Sequence, residues 1–125
     1  NEKQACDYNI SELKRISRDF NIPVIAISSF NRTNYSSAVG YESFKESGAI
    51  EYSSDVVIGL QLKGTEDIAN AKSETEKRNK TNDLKSKYPR EVELIAIKQR
   101  DGVAYAKQVF QYYAKYNYFL EANRS

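Results

Sequence analysis

The segment Ile95 to Tyr105, IAIKQRDGVAY, runs as an apolar strand that ends in Lys98, Gln99 and Arg100 and then meets Asp101-Gly102. Side chains alternate across a strand, so Lys98 and Arg100 point to one side and Gln99 to the other. A lysine and an arginine presented together on a stiff scaffold can hold an anion, and a guanidinium's fork of donors suits phosphate above all. The same residues also serve a plainer purpose, a solvated hairpin end whose charge discourages edge-to-edge aggregation. Asp-Gly between "EVELIAIKQR" and "VAYAKQVF" predicts a tight two-residue hairpin turn with both turn residues at positive φ.

Other chemistries are excluded by composition. The 125 residues contain no His and one Cys, Cys6, so a His-based triad, an internal disulfide and a Cys/His zinc site are all ruled out. A lone thiol fits a reducing cytosol. Lys+Arg 19 against Asp+Glu 17 leaves a formal charge of +2, so any binding of nucleic acid has to be local. No apolar run is long enough to span a membrane, and the start, "NEKQACDYNI", has no signal-peptide core. A soluble, cytoplasmic chain with no membrane partner is the expectation, and the missing initiator Met points to a fragment of a longer protein.

The elements that must position the two cations read as one domain, residues 1–125. "NISELKRISRDFNIP" predicts a helix capped by Asn9, with Glu12 closing a capping box, an apolar stripe of Ile10, Leu13, Ile16 and Phe20, and a stop at Pro23. "PVIAISS" is a continuous apolar run, the pattern of a strand buried on both faces in a parallel sheet. "FNRTNYSSAVG" reads as the loop leaving that strand, the usual place for binding residues in open α/β sheets. "YESFKESGAIEYSS" offers a short irregular helix interrupted by Gly48, and "DVVIGLQL" a second buried strand. Residues 63–90 mix both charge signs with few apolar positions, so they are expected to be an exposed, partly helical insertion with no chemistry of its own. The hairpin and a short final strand within "YYAKYNYFLEA" close the chain. Tyr112, Tyr113, Tyr116, Tyr118 and Phe119 can stack bases or pack a sheet edge; packing is the reading adopted. The fold class is therefore α/β, a mixed and mostly parallel sheet flanked by helices with a C-terminal β-hairpin.

Four segments in order, "IPVIAISSFNR", "FKESGAIEYSSDVVIGLQL", "ELIAIKQRDG" and the closing aromatic strand, resemble the C-terminal half of the RecA-like motor domain of DnaB-like replicative hexameric DNA helicases. The combination P-V-I-A-x-S-x-x-N-R, then E-S-G-x-I-E-x-x-x-D, then K-Q-R-x-G carries the resemblance. It implies a partial RecA-like P-loop NTPase fold and an ATP-dependent helicase parent active in DNA replication. By the same resemblance Lys98, Arg100 and Gly102 belong to the nucleotide site of a neighbouring subunit, with Arg100 the catalytic arginine finger and Lys98 beside it. Lys45, Glu46 and Gly48 would line the channel for single-stranded DNA. Ser29, Asn31 and Arg32 fall in the sensor region, where Ser29 stands in place of the family's Gln and puts the coupling of hydrolysis to DNA in question. That departure suggests a divergent helicase of a plasmid, phage or mobile element.

None of the five glycines is followed by Lys, so G-x-x-x-x-G-K-[ST] does not occur. The phosphate loop, the catalytic Glu and the Mg²⁺-binding Asp are expected upstream of Asn1, and Asp55, which begins a strand instead of ending one, does not replace the last of these. ATP and Mg²⁺ are accordingly cofactors of the full-length parent, held mainly by its N-terminal half, and the fragment alone is expected to hold none and to be inactive. Implied partners are single-stranded DNA, identical subunits in a hexameric ring, and a primase or helicase loader. Two other readings stay open: a non-hydrolysing RecA-like module that binds nucleic acid or a partner, and a recombinase-like or clock-like ATPase.

Overall fold

A computed structural model describes residues 1–29, 40 and 48–122. Its elements follow one another as α1 (Glu2–Phe20), α2 (Gly48–Ser53), β1 (Val56–Leu62), α3 (Thr65–Ala69), α4 (Glu74–Ser86), β2 (Arg90–Gln99), β3 (Ala106–Tyr113), a 3₁₀ turn (Ala114–Tyr116) and β4 (Tyr118–Glu121).

Helix α1 begins eight residues before the cap expected at Asn9. The Asn1 side chain accepts from the Gln4 N–H and Gln4 Oε1 accepts in return from the Asn1 backbone nitrogen, which makes the capping box there. Asn9 then sits in the helix interior, where its backbone N–H is already committed and a cap has nothing to satisfy. The other end follows the local signals. Asn21 takes the left-handed conformation at φ 52°, Ile22 N–H reaches Ser17 O at 3.1 Å, and Pro23 lies just beyond. Ile10, Leu13 and Ile16 are half-buried in a helix that lies against α2, whereas Phe20 is exposed.

The sheet is a four-stranded antiparallel ribbon in the order β1-β2-β3-β4. A mostly parallel sheet was the expectation, and it fails at one identifiable place. Residues 22–29 have no regular secondary structure, and Ile25 and Ile27 are 91% and 97% exposed. Parallel strands need neighbours and cover on both sides, and among the described residues no strand or helix supplies either to this segment. Strand β1 departs in the same direction. It alternates exposed and buried positions, with Val57 inside and Val56, Ile58 and Leu60 outside, so it is covered on one face only. Its apolar run records a demand for two covered faces of which the described chain meets one.

On the covered face Val57, Ile95 and Ile97 form the core, with Ile50 of α2 packed against them. Each of the three is at most 5% exposed. Residues 63–90 carry α3 and α4; Ile68 is buried at 2%, and the Lys107 ammonium of β3 meets Glu66 of α3 at 2.8 Å. Under this cover Gln61 donates to the buried Glu93 carboxylate at 2.6 Å, giving an ionisable group in the sheet interior the partner it requires.

A β-bulge between Val57 and Ile58 of β1 sets the geometry of the strand end. Ile58 pairs with Ala96 but Val57 with Lys98, so Ile97 is the extra residue on β2. Directly opposed residues share a face, and Val57 lies on the core face with Ile95 and Ile97. The bulge therefore moves Lys98 onto that face, where unbroken alternation would have put it on the other.

Candidate functional site

The end of β2 is held from one side only. Pairing with β3 stops at Ala96↔Ala106, while pairing with β1 continues to Val56↔Gln99 and one bond further, from Arg100 N–H to Asp55 O at 3.0 Å. The chain then turns between Gln99 and Gly102, whose N–H donates to Gln99 O at 3.3 Å. The tight Asp101-Gly102 hairpin turn is absent: neither residue has positive φ, and strand pairing resumes only at Ala106. Because β1 keeps hold of β2 for three residues past its last β3 partner, a two-residue connection cannot close the hairpin. A six-residue loop, residues 100–105, closes it instead. Gly102 has a different task here. A Cβ at that position would stand 2.7 Å from Gln99 Oε1 and 3.2 Å from Gln99 Cβ, because the Gln99 amide folds over the turn to donate to Val103 O at 2.9 Å.

Lys98 and Arg100 emerge together on the core face of the β1–β2 end. The Lys98 ammonium donates to the backbone O of Glu51, one of the carbonyls left open at the C-terminal end of α2, where a cation is favoured. Arg100 Nη1 lies 2.9 Å from Asp55 Oδ1, and Lys14 of α1 donates to both oxygens of the same carboxylate at 3.2 Å. The Lys14 hydrogen bonds, more than the charges of Arg100 and Lys98, hold the Asp55 carboxyl below the ordinary aspartate range. Lys14, Lys98, Arg100 and Asp55 together carry a net charge of +2, and both Arg100 and Asp55 are more than half exposed. The closest approach of Asp55 engages Nη1 of a guanidinium that has five N–H donors, so the cluster can take a further anion beside Asp55.

The other residues singled out from the sequence are spread differently. Ser29 is exposed in the irregular segment 22–29, its backbone O accepting from Ser28 Oγ at 3.4 Å. Asn31, Arg32, Lys45 and Glu46 lie outside the described residues. Gly48 is the first residue of α2, and among the described residues a Cβ there would meet Tyr52 at an ordinary 3.9 Å, so their packing does not demand the missing side chain. The closing aromatics pack on one another: Tyr112 stacks on Phe119 with centroids 4.5 Å apart, and Tyr113 meets Tyr88 edge-on at 5.6 Å. Asp55 and Lys14 were not among the candidates. From the sequence Asp55 stands out only as a metal ligand that does not fit; the signal that points to it is its place just before β1, opposite Arg100. Lys14 carries no local signal at all. Among the described residues no group of three or more His, Cys, Asp or Glu is placed to hold a metal ion. Nor is any described helix long and apolar enough to cross a membrane.

The model of a family described as the DnaB-like helicase C-terminal domain matches residues 1–121. No curated protein matches the chain.

Proposed function

The chain belongs to the DnaB-like helicase C-terminal domain family, and we propose that it is the part of an ATP-dependent DNA helicase motor that supplies an arginine finger in trans. Its fold is the C-terminal portion of a RecA-like NTPase domain. The observation that carries this reading is the shared face of Lys98 and Arg100 at a strand end paired with β1, with net positive charge around a carboxylate whose closest contact engages one corner of the guanidinium.

In this reading ATP sits on the phosphate loop of the adjacent subunit in a hexameric ring, and this chain reaches across the boundary. Arg100 places guanidinium donors on the γ-phosphate oxygens, where negative charge spreads during phosphoryl transfer; fingers of this kind accelerate hydrolysis by about 10³ to 10⁵. Lys98 adds a second point charge from the same face. Lys45, Glu46 and Gly48 contact the backbone of single-stranded DNA, and Ser29, Asn31 and Arg32 sense the nucleotide state. Helix α2 begins at Gly48 and offers its Glu51 carbonyl to Lys98, so about one turn of helix joins the DNA-contacting segment to the nucleotide-contacting strand. ATP and Mg²⁺ are bound mainly by the N-terminal half of the parent, because no phosphate-loop motif occurs in these 125 residues. The chain by itself does not turn over ATP. A primase or a helicase loader completes the set of partners.

The test mixes two full-length variants, Arg100→Ala and one with an inactivated phosphate loop, and follows ATP hydrolysis with single-stranded DNA. Each alone is nearly inactive, and the mixture recovers turnover as intact sites form between subunits. No recovery, together with wild-type turnover by Arg100→Ala alone, refutes the finger. Ser29 in place of the family's Gln favours one second reading, a RecA-like module that binds nucleic acid without hydrolysis. Displacement of a strand from a forked duplex by the full-length protein excludes it.

A further inference from the structure

A guanidinium at the end of an exposed turn has several rotatable bonds and samples many orientations unless something holds it. Arg100 is 53% exposed on its side chain, and what it meets is Asp55. The two are tied twice, by the backbone bond from Arg100 N–H to Asp55 O at 3.0 Å and by the ion pair from Nη1 to Oδ1 at 2.9 Å. Asp55 is itself tethered, with Lys14 at 3.2 Å from each carboxylate oxygen. We propose that Asp55 is the positioning residue of the finger, anchored to α1 through Lys14 and holding the Arg100 guanidinium by one corner so that the rest of the fork faces outward.

This rests on the reading of Arg100 as a trans-acting finger and adds a residue to it. Asp55 touches neither ATP nor the reacting atoms; it acts through Arg100. Its closest contact engages Nη1 of a group that has five N–H donors, so the fork is oriented without being used up. The backbone register explains why the pair is so placed. Asp55 and Arg100 face each other one step beyond the last paired residues, Val56↔Gln99, where cross-strand neighbours share a face. Lys14 supplies the second strut from an element distant in sequence, so movement of α1 relative to the sheet reaches Arg100 through a single carboxylate.

The experiment uses the full-length protein with Asp55→Asn, which keeps the shape and removes the charge. Loss of orientation predicts a roughly 10-fold fall in DNA-stimulated turnover with little change in the KM for ATP. The defect lies in the neighbour's site, so mixing Asp55→Asn subunits with phosphate-loop-dead subunits recovers turnover as Arg100→Ala does. Adding Asp55→Asn to Arg100→Ala costs nothing further, and Asp55→Glu restores part of the activity. Wild-type turnover by Asp55→Asn, or a loss that mixing does not recover while Arg100→Ala is recovered, overturns the role of Asp55 and leaves the finger standing. Failure of Arg100→Ala itself to be recovered brings down the finger reading first. Should Asp55→Asn subunits fail to assemble, Lys14→Met is read in the same assays; a roughly threefold loss recovered by mixing is expected, and unchanged turnover overturns the proposal.

Discussion

Replacing Gly102 by Ala probes whether the Arg100 turn is shaped by the close approach of Gln99. The added Cβ would stand 2.7 Å from Gln99 Oε1 and 3.2 Å from Gln99 Cβ and Cδ, against an ordinary carbon contact of about 3.5 to 4.0 Å. The amide is the flexible end and swings away first, which breaks the 2.9 Å hydrogen bond from Gln99 Nε2 to Val103 O. Losing that bond costs about 0.5 to 1.5 kcal/mol, and opening the residual approach of the two Cβ atoms adds to it. Gly102 is not among the residues at positive φ, so Ala can adopt its backbone conformation. The stiffer unfolded chain then returns roughly 0.4 to 1 kcal/mol. The balance is a destabilisation of about 0.5 kcal/mol. With Gln99→Ala already present the hydrogen bond is gone and the amide cannot clash, so Gly102→Ala becomes neutral or slightly stabilising. The cycle therefore predicts a coupling of about 1 kcal/mol between two residues in contact. Urea unfolding of the wild type, the two single variants and the double variant, followed by circular dichroism, measures it. An effect of Gly102→Ala that is the same with and without Gln99 refutes the reasoning.

Two more predictions concern the sheet and the ion cluster. Ile97, 2% exposed, and Ile58, 55% exposed, lie on opposite faces of the β1–β2 ribbon; Ile97→Ala should cost about 2 to 4 kcal/mol and Ile58→Ala under about 1 kcal/mol in urea unfolding, and equal costs would show the outer face to be covered. Lys14 lowers the Asp55 pKa in the folded protein, so the stabilisation is present above the ordinary aspartate value of about 3.9 and is lost as pH falls below it through the lower folded value. A carboxyl ¹³C titration should place the Asp55 midpoint below that of free aspartate, with Lys14→Met moving it back up; no upward movement excludes Lys14 as the main cause.

What could be read without the fold was local. The end of α1 at Phe20 follows from Asn21 and Pro23, the strands β1 and β2 from apolar runs bounded by polar residues, and the closing strand β4 from its aromatics. Each depends on a residue and neighbours a few positions away, where capping and alternation operate. The misreadings share one cause. Asn9 is a good cap in isolation, but the capping box at Asn1 and Gln4 starts the helix eight residues earlier. Asp101-Gly102 was a good hairpin turn in isolation, but it was overruled by β1 keeping hold of β2 as far as Gln99. The apolar runs of "PVIAISS" and "DVVIGLQL" state how much cover a strand needs, not which element provides it.

The sequence by itself determined the chemistry available in these 125 residues: no histidine, a single thiol, no phosphate-loop motif, and two cations in a K-Q-R-x-G segment. Only the tertiary structure decided where the cations of that segment go. The bulge that brings Lys98 to the core face is a mismatch between two strands separated by the α3–α4 excursion. The carboxylate that holds Arg100 lies before β1, and the lysine that anchors it is 41 residues further back. Register and ion pairing across such separations are set when the sheet closes and the helix docks, because only then do the partners come within bonding distance.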